Sequence, residues 1–220
     1  MDQEIKSEGK CRLCNREFSQ SGIKKHLLSC EKHKKSKGKE KVFLIKAEAG
    51  PFWVYLEIEK NKKLKNLDQF LRELWLECCG HLSAFTINNK RYSSFKEELD
   101  YDEESMNIQL NKVLNPKQEF DYEYDFGTTT ELSLECIEEE MGNKGISIIA
   151  RNNPIDFKCE KCGKRAELVC TQCIWDGKGF FCKTCSKKHK CIEPYFLPIV
   201  NSPRIGMCGF TGEECRLINK

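Results

Sequence analysis

No apolar run in this 220-residue chain approaches the ~18 residues that a membrane-spanning helix requires. Its opening stretch, MDQEIKSEGK, is charged and lacks the apolar core and small-residue cleavage site of a secretory signal. Asp125-Phe126-Gly127 reads like a kinase metal loop, but no glycine-rich phosphate loop, Val-Ala-Ile-Lys or His-Arg-Asp motif accompanies it. A zinc deaminase needs His-x-Glu upstream of Pro-Cys-x2-Cys, and neither half is present. There is no internal repeat beyond short cysteine knuckles. With a mean hydropathy of −0.60 and 32% charged residues, these absences lead to the expectation of a soluble, cytoplasmic, non-enzymatic protein that makes no contact with a membrane.

Cysteine is in excess: fifteen residues, an odd number. Near the C-terminus the spacing reads Cys159-x2-Cys162, Cys170-x2-Cys173, Cys182-x2-Cys185, then His189, Cys191, Cys208 and Cys215. Two thiolates separated by two residues fold back on one tight turn and face a common centre, and two such knuckles supply the four soft, tetrahedral ligands that zinc prefers. Disulfides and an iron–sulfur cluster are the competing explanations. The odd count, the isolated Cys78, Cys79 and Cys136, the absent signal and the abundance of Lys and Glu all favour a reducing compartment and zinc.

Sequential pairs often bind in a crossed fashion. The expected first C-terminal site is therefore Cys159, Cys162, Cys182 and Cys185, and the second Cys170, Cys173 and His189 with Cys191 or Cys208 as fourth ligand. Cys215 is expected to stand outside both. This crossed order resembles the MYND, B-box and RING-type modules, although the spacing fits none of them closely. At the other end, residues 11–30 spell Cys11-x2-Cys14, eleven residues, then His26-x3-Cys30. That pattern resembles a single ββα zinc finger of the Cys-Cys-His-Cys type, in which His26 and Cys30 share one helical face; His33 is the alternative to Cys30. About three zinc ions are expected, each in a closed four-ligand site that leaves no place for a catalytic water.

The net charge of +3 conceals a division. Residues 1–41 hold 12 Lys+Arg against 6 Asp+Glu, residues 42–150 hold 12 against 21, and residues 151–220 hold 13 against 7. These shifts mark out a zinc finger over 1–32, a lysine-rich linker over 33–41, a central domain over 42–151, and a cysteine-rich module over 154–220 after the Asn152-Asn153-Pro154 joint. The basic ends suit DNA or RNA phosphates, with Arg16, Lys24 and Lys25 on the finger as the contacts; the acidic middle suits a protein partner. One finger reads only ~3 base pairs, so protein docking is the rival use of that module.

The central domain alternates strand and helix signals, an α+β pattern of an antiparallel sheet with packed helices. Strands are expected over VFLIKAE, FWVYLEIE, Ala84–Ile87, Met106–Leu110, Phe120–Phe126, Thr128–Ile137 and Ile146–Ala150. A helix is expected between an Asn66 N-cap and Gly80, an Asn88-Asn89 turn after the third strand, and an acidic loop over Glu97–Glu104. His81 is expected to be structural, and Asp121, Glu123 and Asp125 to form a solvated strand face.

The layout "HLSAFTINNKRY" followed by "FDYEYDFGTTTELSLECI" resembles the plasmid pRiA4b open-reading-frame-three-like family, also known as transposon-passenger TnpR-like. His81, Leu82 and Phe85 match its first element, and Tyr122, Tyr124, Asp125, Phe126 and Gly127 its second. Many members continue with Asp-x-Trp-x-His, whereas this chain has Thr128, Thr129, Thr130 and Glu131. The tail "LPIVNSPRIGMCGFTG" is similar to the ending of zinc-bearing members. The resemblance implies an association with mobile elements but no particular chemistry, and nothing here resembles the catalytic serine and arginines of a resolvase.

Overall fold

The computed structural model describes residues 5, 7–35, 38–95 and 103–219. They form two compact units. One comprises Lys6–Leu71 and His81–Asn153; the other unites Arg72–Gly80 with Pro154–Lys220.

The first unit is built on a ten-stranded sheet. Its strands are β1 (Glu8–Cys11), β2 (Glu17–Ser19), β3 (Glu40–Ala49), β4 (Phe52–Glu59), β5 (Ser83–Ile87), β6 (Lys90–Ser93), β7 (Glu103–Ser105), β8 (Gln118–Tyr124), β9 (Thr130–Gly142) and β10 (Ile146–Asn152). They lie in the order β2-β1-β10-β4-β3-β9-β8-β5-β6-β7. The β6/β7 pair is parallel and the other pairs are antiparallel, so the sheet is mixed. With its few short helices this is an α+β architecture. Every residue of β4 is buried, so both faces of that strand are covered. Trp53 and Tyr55 share one face and Val54, Leu56 and Ile58 the other, as strand alternation demands.

Four helices accompany the strands: α1 (Gln20–Ser29), α2 (Glu31–Lys35), α3 (Leu64–Leu71) and, in the second unit, α4 (Lys183–Ser186). Ser19 caps α1, its hydroxyl accepting from the Gly22 N–H at 3.2 Å. Helix α3 starts two residues before the expected Asn66 cap. Asn66 instead lies inside the first turn and its side chain accepts from the Lys63 N–H at 3.0 Å, the reaching-back half of a capping box. Beyond Leu71 the helix widens into a π-turn over Arg72–Leu76. Buried Asp68 ties α3 to the sheet by accepting from the Ser83 hydroxyl at 2.6 Å and the Tyr122 hydroxyl at 2.8 Å.

The composition boundaries do not coincide with breaks in the fold. Strand β1 pairs with β10 through Gly9 and Asn152, so the N-terminal hairpin extends the central sheet. A Cβ at Gly9 would run into the Arg151 carbonyl, so this approach requires glycine. The lysine-rich stretch contains α2 and enters β3 at Glu40. Its His33 is 3% exposed, lying 2.8 Å from Glu57 and 3.3 Å from Glu140. These two carboxylates raise its pKa from 6.5 to about 10, so the imidazole is a buried cation. Charge counting along the chain treats every lysine-rich run alike and so places this buried anchor in a linker. In place of the Met106–Leu110 strand, β7 comes earlier and a 3-10 turn covers Leu110–Lys112. Positions 97–102 of the expected acidic loop lie outside the described residues.

In the second unit β11 (Leu168–Cys170) is flanked by β12 (Phe180–Phe181) and β13 (Phe196–Pro198). Segment 72–80 joins this unit: Ser202 donates to the Trp75 carbonyl at 2.6 Å, and the Leu217 N–H to the Glu73 carbonyl at 2.9 Å.

Candidate metal centres

None of the fifteen cysteines is joined in a disulfide. In the first unit, the turn between β1 and β2 presents Cys11 and Cys14, while α1 presents His26 and ends at Cys30; the four donor atoms lie within 4.8 Å of one another. Cys14 Sγ is 3.3 Å from His26 Nε2. Asn15, at φ 61°, makes the sharp turn after the second cysteine. Desolvation opposes ionisation of Cys14, but the Arg16 N–H and guanidinium and the neighbouring thiols bring its pKa down to about 7. His26 stacks on Phe18 at 4.0 Å, which fixes the ring's orientation. Cys30, rather than His33, belongs to this group.

The helix of this unit is packed inward. Ile23 and Leu27 share a core with Leu44, Trp53, Tyr55 and Ile149. Lys24, one of the expected phosphate contacts, is bonded to both Glu135 oxygens at 2.6 and 2.7 Å. Arg16 lies 3.4 Å from His26 Nδ1 and over the Phe18 ring. Of the three basic residues, Lys25 alone is exposed with its side chain in no described hydrogen bond or ion pair.

The second unit holds two groups in the crossed order. Cys159, Cys162, Cys182 and Cys185 converge, as do Cys170, Cys173, His189 and Cys191. Cys162 and Cys182 are 3.8 Å apart, Cys170 and Cys191 3.7 Å, and Cys173 Sγ is 3.4 Å from His189 Nε2. With metal–sulfur bonds of about 2.3 Å, the edge of a tetrahedron is about 3.8 Å, so these separations suit four ligands around one ion. Burial opposes ionisation of Cys159, but N–H groups of Cys182, Lys161 and Cys162 bring its pKa down to about 6. Cys182 precedes α4, whose first turn carries Cys185 back toward it. Gly179, at φ 101°, lets the chain pass close to Cys170 and Cys173. Phe181 is buried beside both groups, its ring 4.5 Å from that of His189.

Cys208 does not join Cys170: its sulfur lies 3.8 Å from Cys79. His189 and Cys191 both join the second group with one residue between them. Cys136 and Cys215 are buried, and burial pushes each thiol up to about 12. The Cys215 thiol donates to the Arg72 carbonyl at 3.3 Å.

His81 Nδ1 lies 3.4 Å from Asp125 Oδ1, and the same oxygen accepts from the Gly127 and Thr128 N–H groups. Asp125, at φ 66°, thereby holds the turn after β8. Glu123 is paired with Arg91 at 2.5 Å, whereas Asp121 lines a polar groove with Glu119 and Glu135. Among the described residues no helix is long and apolar enough to cross a membrane.

The family model for plasmid pRiA4b ORF-3-like proteins matches residues 40–150, and the chain belongs to that family. One similar solved structure is that of a protein of unknown function, MM3350, from Methanosarcina mazei Go1. It is 17% identical over 58% of this chain and 76% of that one, with a TM-score of 0.43. No curated protein matches.

Proposed function

We propose that this family member is a non-enzymatic, zinc-stabilised binding protein of a reducing, cytoplasmic compartment, and that its C-terminal module holds single-stranded nucleic acid. The zinc assignment rests on thiolate-rich, four-donor groups at tetrahedral spacing, which suit a borderline-soft ion and leave no open coordination position.

The nucleic-acid reading rests on one observation: Trp175 and Tyr195 are 63% and 61% exposed in a module whose Lys178, Lys187, Lys188 and Lys190 are also exposed. Exposed aromatics stack on bases of any sequence, and lysines neutralise the backbone between them. This moves the interface away from the finger, where Lys24 is already engaged by Glu135. A second reading, a protein-interaction adaptor, is favoured by the acidic groove around Glu119, Asp121 and Glu135.

Zinc-loaded protein titrated with labelled single-stranded RNA and DNA at two salt concentrations tests the proposal by anisotropy. Salt-steep binding that Trp175→Ala weakens supports it. No binding at low salt overturns it in favour of the adaptor.

A further inference from the structure

Cys78 and Cys79 fit no motif in the sequence, and Cys208, the alternative to Cys191 as fourth ligand of the second C-terminal group, stands apart from that group. In the second unit these three meet. Cys78 Sγ lies 3.7 Å from Cys79 Sγ, which lies 3.8 Å from Cys208 Sγ. Those separations match the 3.7 and 3.8 Å of the two C-terminal groups and the roughly 3.8 Å edge of a zinc–thiolate tetrahedron, and are far longer than a disulfide of about 2.05 Å.

The backbone is shaped for this meeting. Cys208 is a non-glycine residue at φ 47°, a conformation that residues with a Cβ adopt sparingly, and Gly209 follows at φ 68°. The turn makes Cys208 the tip of a knuckle in Met-Cys-Gly-Phe. Gly80, at φ 78°, turns the chain just after Cys79. Around them, the tail encloses the 72–80 segment through the Ser202–Trp75, Cys215–Arg72 and Leu217–Glu73 hydrogen bonds, and Phe210, Cys215 and Ile218 form a small core against Cys78.

We infer that Cys78, Cys79 and Cys208 bind a further zinc ion, which clamps the tail of the chain onto the 72–80 segment. This inference does not rest on the nucleic-acid reading.

The test compares the zinc content of the full wild-type chain with that of a C79S/C208S variant by elemental mass spectrometry. The variant is expected to carry one ion fewer. Equal content in the two overturns the site. A second measurement, independent of how the variant folds, is alkylation of the zinc-loaded wild type mapped residue by residue. Cys79 and Cys208 are exposed, so without a metal they are open to the reagent. Protection that a chelator abolishes is the expected result. Reaction at the ordinary rate, or recovery of a Cys79–Cys208 disulfide from protein kept reducing, overturns the site.

Discussion

At the N-terminal end, four candidate ligands lie in a module whose helix buries Ile23 and Leu27 in one core with Trp53 and Tyr55, and whose first strand is hydrogen-bonded into a ten-stranded sheet. At the C-terminal end, eight candidate ligands surround a small core of Phe181 and partly buried Phe196 and three strands of two or three residues each. Ligand chemistry is the same in both. What differs is the apolar area available without the ion. A large sheet anchors the first module by burial and ladder hydrogen bonds, whereas the second has little apolar surface to offset its chain entropy and, on the proposed reading, is expected to depend on a metal.

The sharpest way to break this contrast is chelation. Chelation is expected to unfold the C-terminal module, since structural zinc in small modules contributes about 10 kcal/mol or more. Hydrogen exchange should then show lost protection over 159–191 while β3, β4 and β9 stay protected. Equal loss in β1 and β10 would show that the N-terminal module is no better anchored.

A smaller effect is expected at the buried His33 anchor that follows the N-terminal cysteine group. Removing one partner of a buried ion pair costs about 3–5 kcal/mol, so His33→Ala should lower stability by roughly that amount in urea denaturation. The pH dependence has a definite sign. The folded pKa of about 10 exceeds the ordinary 6.5, so the contribution is complete below pH 6.5 and is lost as pH rises toward 10. His33→Ala should flatten that decline; an unchanged profile would remove His33 as its cause.

Trp175→Ala is expected to weaken single-strand binding by about 1–3 kcal/mol, the value of one base stacked on an aromatic ring, with the thermal midpoint unmoved. The smallest effect belongs to Lys24→Ala. Its pair with Glu135 is partly exposed, so the expected loss is at most about 1 kcal/mol, with no change in nucleic-acid affinity. A large loss of affinity would return the interface to the finger.

Much of the candidate chemistry was legible because metal ligation leaves a local signature. Cys-x2-Cys and His-x3-Cys spacings are set by the turn and the helix that present them, and the crossed order of the C-terminal pairs could be argued from chain economy. Strands such as β4 and β8 were legible for a similar reason, since their apolar residues alternate. Cys78, Cys79 and Cys208 were not, because 129 residues separate the last two and no spacing rule spans that distance. His33 was hidden by its lysine neighbours, and Glu57 and Glu140 become its partners only through strand register.

By itself, then, the amino-acid sequence determined the metal-binding grammar, the α+β pattern and the family, since each depends on residues close together in the chain. Only the tertiary structure decided that the N-terminal hairpin joins the central sheet, that Lys24 meets Glu135, that Cys191 and not Cys208 completes the second C-terminal group, and that segment 72–80 packs with the tail. Those outcomes depend on strand pairing and on burial of surfaces distant in sequence, where the free energy belongs to the assembled core.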